Sequence, residues 1–425
     1  MTSSAMTPTA RVSRATAAWS LVGLVLLTIN LRAAITGVAP LLGDLRDALS
    51  LTGVQVSVLT TLPVLCLGLF ASLAPVLARR VGAEAAIAGS LVMITAGIVV
   101  RVVPSPVTLY LGTVLAGAGI AMGNVLLPAV IKRAFPDRVG SLTGLAMMLM
   151  AASGAIAAGL AVPLDEAGGW RLALAVWAVP SLIAALTWGP LARNARRDTT
   201  RQETAPRATP AGGTLLRSSK AWFVAAFMGL ASLMFYVLMS WLPEIMRDAG
   251  YAPATAGMMV SAMMIVGIPL GFFVPVFAAR LRDQRFLVVA VAVTMVVGIV
   301  GLLAAPAAGW VWVLTLGIGT GSAFPLAYTL LSLRSPSPAV AARLSGMAQT
   351  GGYLLAALGP LAVGVLHSVT GGWEVSLVLL LALVVPELVF GLLAARPGFV
   401  RPSPTRVEHL IEAKEIKLPE PARAR

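Results

Sequence analysis

The residue whose type and position bear most directly on chemistry is Arg32, about fifteen residues into an apolar run that begins near residue 17. At 1.5 Å per helical residue it stands about 22 Å from the start of that run, inside a hydrocarbon layer about 30 Å thick. A guanidinium at that depth costs roughly 2.5–3.5 kcal/mol on insertion scales, so it must face protein or water rather than lipid. Its planar fork of donors suits a flat partner that accepts in pairs, such as a carboxylate. The structural reading is an arginine that caps helix carbonyls or pairs with an acid. No Asp or Glu lies deep in the other apolar runs of the first half of the chain, which weakens the ion-pair form. Asn30 is about 200° around the helix from Arg32. It shares a face with Ala33, Ala34 and Gly37, small residues that let helices pack closely, whereas Arg32 shares a wetter stripe with Thr28 and Thr36. Asn30 therefore reads as interhelical glue or as a second cavity group.

Other polar groups recur at helical spacing. Ser232, Tyr236 and Ser240 stand at i, i+4 and i+8 in one run, and Ser345, Gln349 and Tyr353 do the same in another. Asn124 lies beside a ladder of Gly112, Ala116, Gly119 and Gly123, and a further stripe holds Thr315, Gly319, Ser322 and Pro325. Such groups either ring a small polar solute or hydrogen-bond helix to helix, an interaction worth about 0.6 kcal/mol on average in a bilayer. Two residues are of a type that could move a proton. Glu387 is the only acid deep in an apolar run, about 13 Å from its end, where a side chain can also snorkel to the interface. His367 closes a run; its residue type suits proton transfer near neutral pH, and its plain reading is interfacial. Met147, Met148 and Met150, with Met258, Met259, Met263 and Met264, either line a pliable wall or pack in a core. Cys66 stands alone, and His367 and His409 are far apart, so no disulfide framework, metal site or cofactor is implied. A phosphate-binding Gly-x-x-x-x-Gly-Lys-Ser/Thr loop is absent, so ATP does not drive the protein directly. A membrane-embedded enzyme would need a nucleophile or metal cluster or a sizeable catalytic loop, and the sequence offers neither.

The elements that position these residues are membrane spans. Of 425 residues, 58% are hydrophobic and 11% charged, against roughly 25% charged in a soluble domain. Apolar surface on that scale needs lipid as its solvent. The net charge of +14 sits in short loops and tails rather than in one stripe, which argues against nucleic acid as a partner. Stretches long enough to cross fall near 17–42, 54–78, 83–103, 106–132, 139–164, 170–192, 220–245, 254–279, 286–306, 310–333, 341–367 and 373–395. The first is too long for a signal-peptide core and no clean cleavage site follows it, so it reads as a span. The expected fold is an all-α polytopic membrane protein of twelve helices. Its parts are an N-terminal tail (1–16), a six-helix bundle (17–192), a flexible linker (193–219), a second bundle (220–395) and a C-terminal tail (396–425) in which 407–418 could form a surface helix. With the N-terminus in the cytoplasm, most Lys and Arg fall in inner segments, and the outer loops hold only Arg46, Arg101, Arg171 and Arg247. That bias places both termini in the cytoplasm.

The two bundles repeat at an offset of about 200 residues. Arg46-Asp47 matches Arg247-Asp248, the run from Ala74 to Arg80 matches that from Val274 to Arg280, and Gly168-Gly169-Trp170 matches Gly371-Gly372-Trp373. An even number of spans per repeat keeps the orientation, so the halves are parallel repeats with a site between them near the midplane.

This layout resembles the major facilitator superfamily. Within it, NLRAAITGVAPLLGDLR (Asn30 to Arg46), GAGIAMGNVLLPAVIKRAFP (Gly117 to Pro136), AVPLDEAGGWRLALAVWA (Ala161 to Ala178), FYVLMSWLPEIMRDAG (Phe235 to Gly250) and ARLSGMAQTGGYLLAALGP (Ala342 to Pro360) are similar to the cyanate permease / 2-nitroimidazole transporter (CynX/NimT) family over essentially the whole chain. The chain departs from the general superfamily pattern in three places. Arg79 stands where an Asp is usual after span two. Leu109 to Gly123 in span four holds no charge. Span five has Gly154 and Gly159 but no Gly-Pro pair. The resemblance implies a secondary transporter of small polar, anionic or nitro-bearing solutes in a bacterial inner membrane, working as a monomer among lipids. It favours Tyr236 and Gln349 as cavity residues, because spans seven and eleven face the cavity in that superfamily. The rivals are a proton-coupled exporter of neutral or cationic compounds and a non-transporting sensor.

Overall fold

The computed structural model of the chain describes residues 14–202 and 214–401. The middle of the expected linker, the segment 407–418 and His409 lie outside the described residues. The helices are α1 (Arg14–Thr36), α2 (Leu42–Leu49), α3 (Gly53–Ala71), α4 (Leu73–Val81), α5 (Ala83–Arg101), α6 (Pro106–Ala134), α7 (Val139–Ala175), α8 (Ala178–Gln202), α9 (Ser219–Asp248), α10 (Pro253–Arg280), α11 (Arg285–Ala304), α12 (Gly309–Leu333), α13 (Pro338–Thr370) and α14 (Glu374–Ala395). Local chemistry sets several ends. Pro106, Pro253 and Pro338 open their helices, where a missing N–H is harmless. Thr52 and Gln55 close a reciprocal capping box at the start of α3.

Ten stretches are long and apolar enough to cross a membrane, and an eleventh is the pair Val58–Ala71 and Leu73–Val81, bent by 50°. One of the ten, Pro136–Arg193, has 58 residues. As one straight helix it would run about 87 Å, nearly three hydrocarbon thicknesses. Its backbone leaves the helix at Gly168 (φ −161°, ψ 19°) and Gly169 (φ 77°, ψ 167°), so it makes two crossings. The described residues thus form twelve spans, as expected. Gly371, the repeat partner of Gly168, also takes a left-handed φ of 72°, and the tryptophans that follow, Trp170 and Trp373, are both buried. Gly169 and Gly371 serve the same purpose, reversing the chain at a positive φ that a side chain would resist.

Hydrogen bonds and an ion pair between helix ends fix the alternation. Lys220 at the start of α9 meets the residues after α14, Arg334 after α12 meets the end of α14, and Glu84 of α5 pairs with Arg133 of α6 at 2.7 Å. These ends gather with the linker. Arg101 meets Ala34, and Trp373 meets Asp248, at the opposite or far end.

Within each half the helices pack as neighbours: α5 on α6 and α8, α1 on α7, α9 on α13 and α14, α10 and α11 on α12. Between the halves the main seams are α7 on α10 and α13 on α3. In span numbers these are five on eight and eleven on two, which exchange when every span is replaced by the one six places on. A two-fold axis along the membrane normal has that consequence.

Several sequence expectations need correction. The first span ends at Thr36, not near residue 42, and the outer LLGDLRDALS segment is largely the short helix α2. α8 runs on to Gln202, into the stretch expected to be linker. Arg101 is not a loop residue: it ends α5 and is 1% exposed, because its Nη1 donates to the Ala34 carbonyl at 2.6 Å while Nε and Nη2 have no partner. Residues 396–400, expected to belong to the C-terminal tail, dock on the bundle. The carbonyls of Arg396, Pro397 and Gly398 accept from Lys220 Nζ at 2.7–2.9 Å, and the Val400 N–H donates to the Arg334 carbonyl at 2.7 Å.

The tightest helix pair is α5 on α6. A Cβ on Gly112 would stand 2.5 Å from the Gly97 carbonyl oxygen and from the Arg101 backbone nitrogen. The ladder beside Asn124 is thus a packing surface. Gly112→Ala should lower the thermal stability of the purified protein by the equivalent of about 1–3 kcal/mol. Gly89→Ala, on α5 with nothing within 4 Å of the added carbon, should be neutral or stabilise by up to about 1 kcal/mol. Equal melting of the two variants would show that this close approach does not hold the pair.

Candidate solute-binding site

Arg32 sits four residues before the end of α1 and is half-buried. Its stem lies on Gly154 of α7, where an added Cβ would come within 2.8 Å of Arg32 Cγ. Thr36 ties the same two helices by donating to the Gly154 carbonyl at 3.0 Å. Gly154 therefore sets where the arginine stem can lie. The guanidinium has no hydrogen-bond or ion-pair partner among the described residues. Tyr236 on α9 and Tyr353 on α13 lie within electrostatic reach of its charge, and Tyr328 of α12 lies within reach of Tyr353. One cation from the first half thus faces phenols from the second, in the middle of the bundle.

Toward the linker end this cluster rests on a seam between the halves. Tyr328 Oη donates to the Asn124 backbone carbonyl at 2.5 Å, and Gln349 Nε2 donates to the same oxygen at 3.3 Å. Gln349 Nε2 also meets Ser345 Oγ at 2.7 Å, and its Oε1 is buried without a partner. Below them Ser332 Oγ donates to the Pro128 carbonyl at 3.3 Å, and Lys132 Nζ to the Ser332 carbonyl at 2.9 Å. Close contacts of Gly346 with Pro75, and of Gly140 and Gly144 with Pro275 and Phe272, continue the seam on both sides.

Of the sequence candidates, Arg32, Tyr236 and Tyr353 come together, and Asn124 and Gln349 join them through the seam. Ser240 lies one turn beyond Tyr236 toward the far end and is exposed. Asn30 stands apart: its amide donates to the Leu26 carbonyl at 2.7 Å and across to Pro180 of α8 at 3.2 Å, so its donors are used in helix packing. Thr28 and Thr36, expected to form a wet stripe with Arg32, bond to backbone carbonyls instead.

The two proton candidates are remote from the cluster. His367 stacks on Trp373 with ring centroids 3.8 Å apart in the last turn of α13, at the far end. Glu387 does not snorkel. It is 3% exposed on α14, which packs on α9 and α11, and both carboxyl oxygens lack a partner.

Sequence reasoning missed Tyr328 and the role of Gly154. Tyr328 continues the stripe through Ser322 and Pro325 by three more residues, so the face was visible though its last member was not read.

The model of the Major Facilitator Superfamily matches residues 24–360. The 2-nitroimidazole transporter of Escherichia coli (strain K12) is 40% identical over 380 residues, 89% of this chain and 96% of that protein. The cyanate transport protein CynX of the same strain is 30% identical over 353 residues, 82% of this chain and 90% of that protein. Among solved structures, the proton:xylose symporter XylE bound to 6-bromo-6-deoxy-D-glucose superposes with a TM-score of 0.70 at 12% identity, covering 93% of this chain and 98% of that one. The chain belongs to the major facilitator superfamily and is a multi-pass membrane transporter.

Proposed function

We propose that the chain carries a small solute with a planar, anionic or nitro-bearing end across a bacterial inner membrane by alternating access, with Arg32 as its anchor. The observation that carries this is the Arg32 guanidinium, half-buried in the middle of the bundle with no hydrogen-bond or ion-pair partner among the described residues. A structural arginine spends its donors on protein oxygens, as Arg334 does on the Ala394 and Ala395 carbonyls and on Gln284 Oε1. Tyr236 and Tyr353 complete the site from the other half, and Ser240 lies on the approach from the far end. Asn124 and Gln349 support its floor. Asn30 acts by holding α1 against α8. The names of the two Escherichia coli relatives, one for a nitro-heterocycle and one for a small linear anion, fit a guanidinium anchor.

With the linker end and both termini in the cytoplasm, as the basic loops require, the seam under the cluster closes the inner side. Solute then reaches Arg32 from outside.

A second reading draws on Glu387, whose buried carboxyl has no partner. A carboxyl so placed suits a proton-coupled exporter of neutral or cationic compounds. His367, held by its stack at the far end, is the weaker proton candidate.

Ligand-induced thermal stabilisation separates the readings. A solute at a hundredfold excess over its Kd should stabilise the folded protein by about 2.7 kcal/mol. Small anions or nitro-heterocycles should do so for the wild type. Arg32→Gln should weaken them by about ten- to hundredfold, the worth of a charged hydrogen bond. Stabilisation by neutral or cationic drugs alone, unchanged in Arg32→Gln, would pass the lead to the exporter reading. Binding without flux in proteoliposomes would favour a sensor.

Gly154→Ala tests the same anchor without removing its charge. By displacing the arginine stem it should weaken the same ligands by roughly 1 kcal/mol, about fivefold. An unchanged Kd would mean that Arg32 does not hold the solute from this position.

A further inference from the structure

The seam beneath the cluster has an unusual acceptor. In an α-helix the carbonyl of residue i takes the N–H of residue i+4. The i+4 residue of Asn124 is Pro128, which has no N–H to give. α6 is buried over almost its whole length, so the Asn124 carbonyl cannot turn to water. It accepts instead from the second half, from Tyr328 Oη at 2.5 Å and Gln349 Nε2 at 3.3 Å. Ser332 Oγ and Lys132 Nζ bridge to carbonyls one and two turns further toward the linker end.

We propose that Pro128 builds the gate beneath the solute site: by leaving the Asn124 carbonyl without its helical donor, it creates the acceptor through which Tyr328 and Gln349 hold the linker end closed. Tyr328 is the principal donor, with the shorter bond. Gln349 stands one turn from Tyr353 on α13, so the residue facing Arg32 and a residue holding the gate share a helix face. The inference rests on transport by alternating access and not on the identity of the solute.

The test reads accessibility of the linker end with no solute present, so its outcome is separate from that of the Arg32 experiments. Cys66, the single cysteine, is replaced by Ala, which keeps the Cβ that touches Gly117. Ala342→Cys then places one buried thiol on α13, on the linker side of Ser345. The rate of its labelling by a bulky maleimide measures how often the seam opens.

Tyr328→Phe should raise that rate about three- to tenfold, the population shift one buried hydrogen bond carries. Pro128→Ala, which returns an N–H to the Asn124 carbonyl, should raise it similarly. The two effects act through one oxygen, so the double variant should not exceed the larger single effect by more than about twofold. Thermal unfolding of each variant shows that it is folded. Unchanged labelling in Tyr328→Phe removes the bond as the hold. Unchanged labelling in Pro128→Ala removes the proline as its origin, and multiplied effects in the double variant mean that the two act independently. Any of these overturns the proposal.

Discussion

Inside a bilayer a polar group has no water to fall back on, and most of this fold follows from where each such group finds its partner. The hydroxyls of Thr28, Ser232, Thr320 and Thr329 turn back to carbonyls of their own helices. Longer donors reach across: Trp188 to the Gly23 carbonyl, Trp241 to Pro360, Asn30 to Pro180. Among the described residues the Arg32 guanidinium has no hydrogen-bond or ion-pair partner and the Glu387 carboxyl has no hydrogen-bond partner, while the Asn124 carbonyl takes its donors from the other half.

The partners are also what divide the molecule into moving parts. Within a half, glycines let helices approach closely, backbone on backbone at Gly97 and Gly112 and backbone on side chain at Gly359 against Leu233 and Val237. Between the halves the linker-end seam joins side chains to carbonyls where α6 meets α12 and α13, and has close glycine contacts where α7 meets α10 and α13 meets α4. In the proposed function the side-chain bonds of the seam are the ones that break and re-form as the halves rock about a central site.

The spans were legible because twenty apolar residues in a row have few other uses, and the repeat was legible because Gly168-Gly169-Trp170 and Gly371-Gly372-Trp373 perform the same turn twice. Depth in the membrane identified Arg32, and helical spacing identified Tyr236, Gln349 and Tyr353 as one-face residues. What periodicity could not show was which face met which neighbour. Asn124 was singled out for its side chain, yet its backbone oxygen does the visible bonding, and that depends on a proline four residues away. Arg101 looked like loop because it follows an apolar run; only the Ala34 carbonyl on another helix reveals it as interior. Glu387 looked able to reach the interface because distance along one helix says nothing of the helices packed over it.

The arrangement of the central cluster bears on why a carrier of this kind would move only when loaded. Arg32 belongs to the first half and its phenolic neighbours to the second, so closing the far end over the cluster would strip water from a guanidinium that has no protein counter-charge. That step carries a desolvation cost of the order of the 2.5–3.5 kcal/mol estimated for an arginine in a span. In the proposed function a solute with a negative or electron-rich end supplies the missing partner. It lowers the cost of closure and bridges the two halves at once. A neutral solute without acceptors would leave the cost in place, so the same residue that selects the solute also decides whether the halves can close upon it.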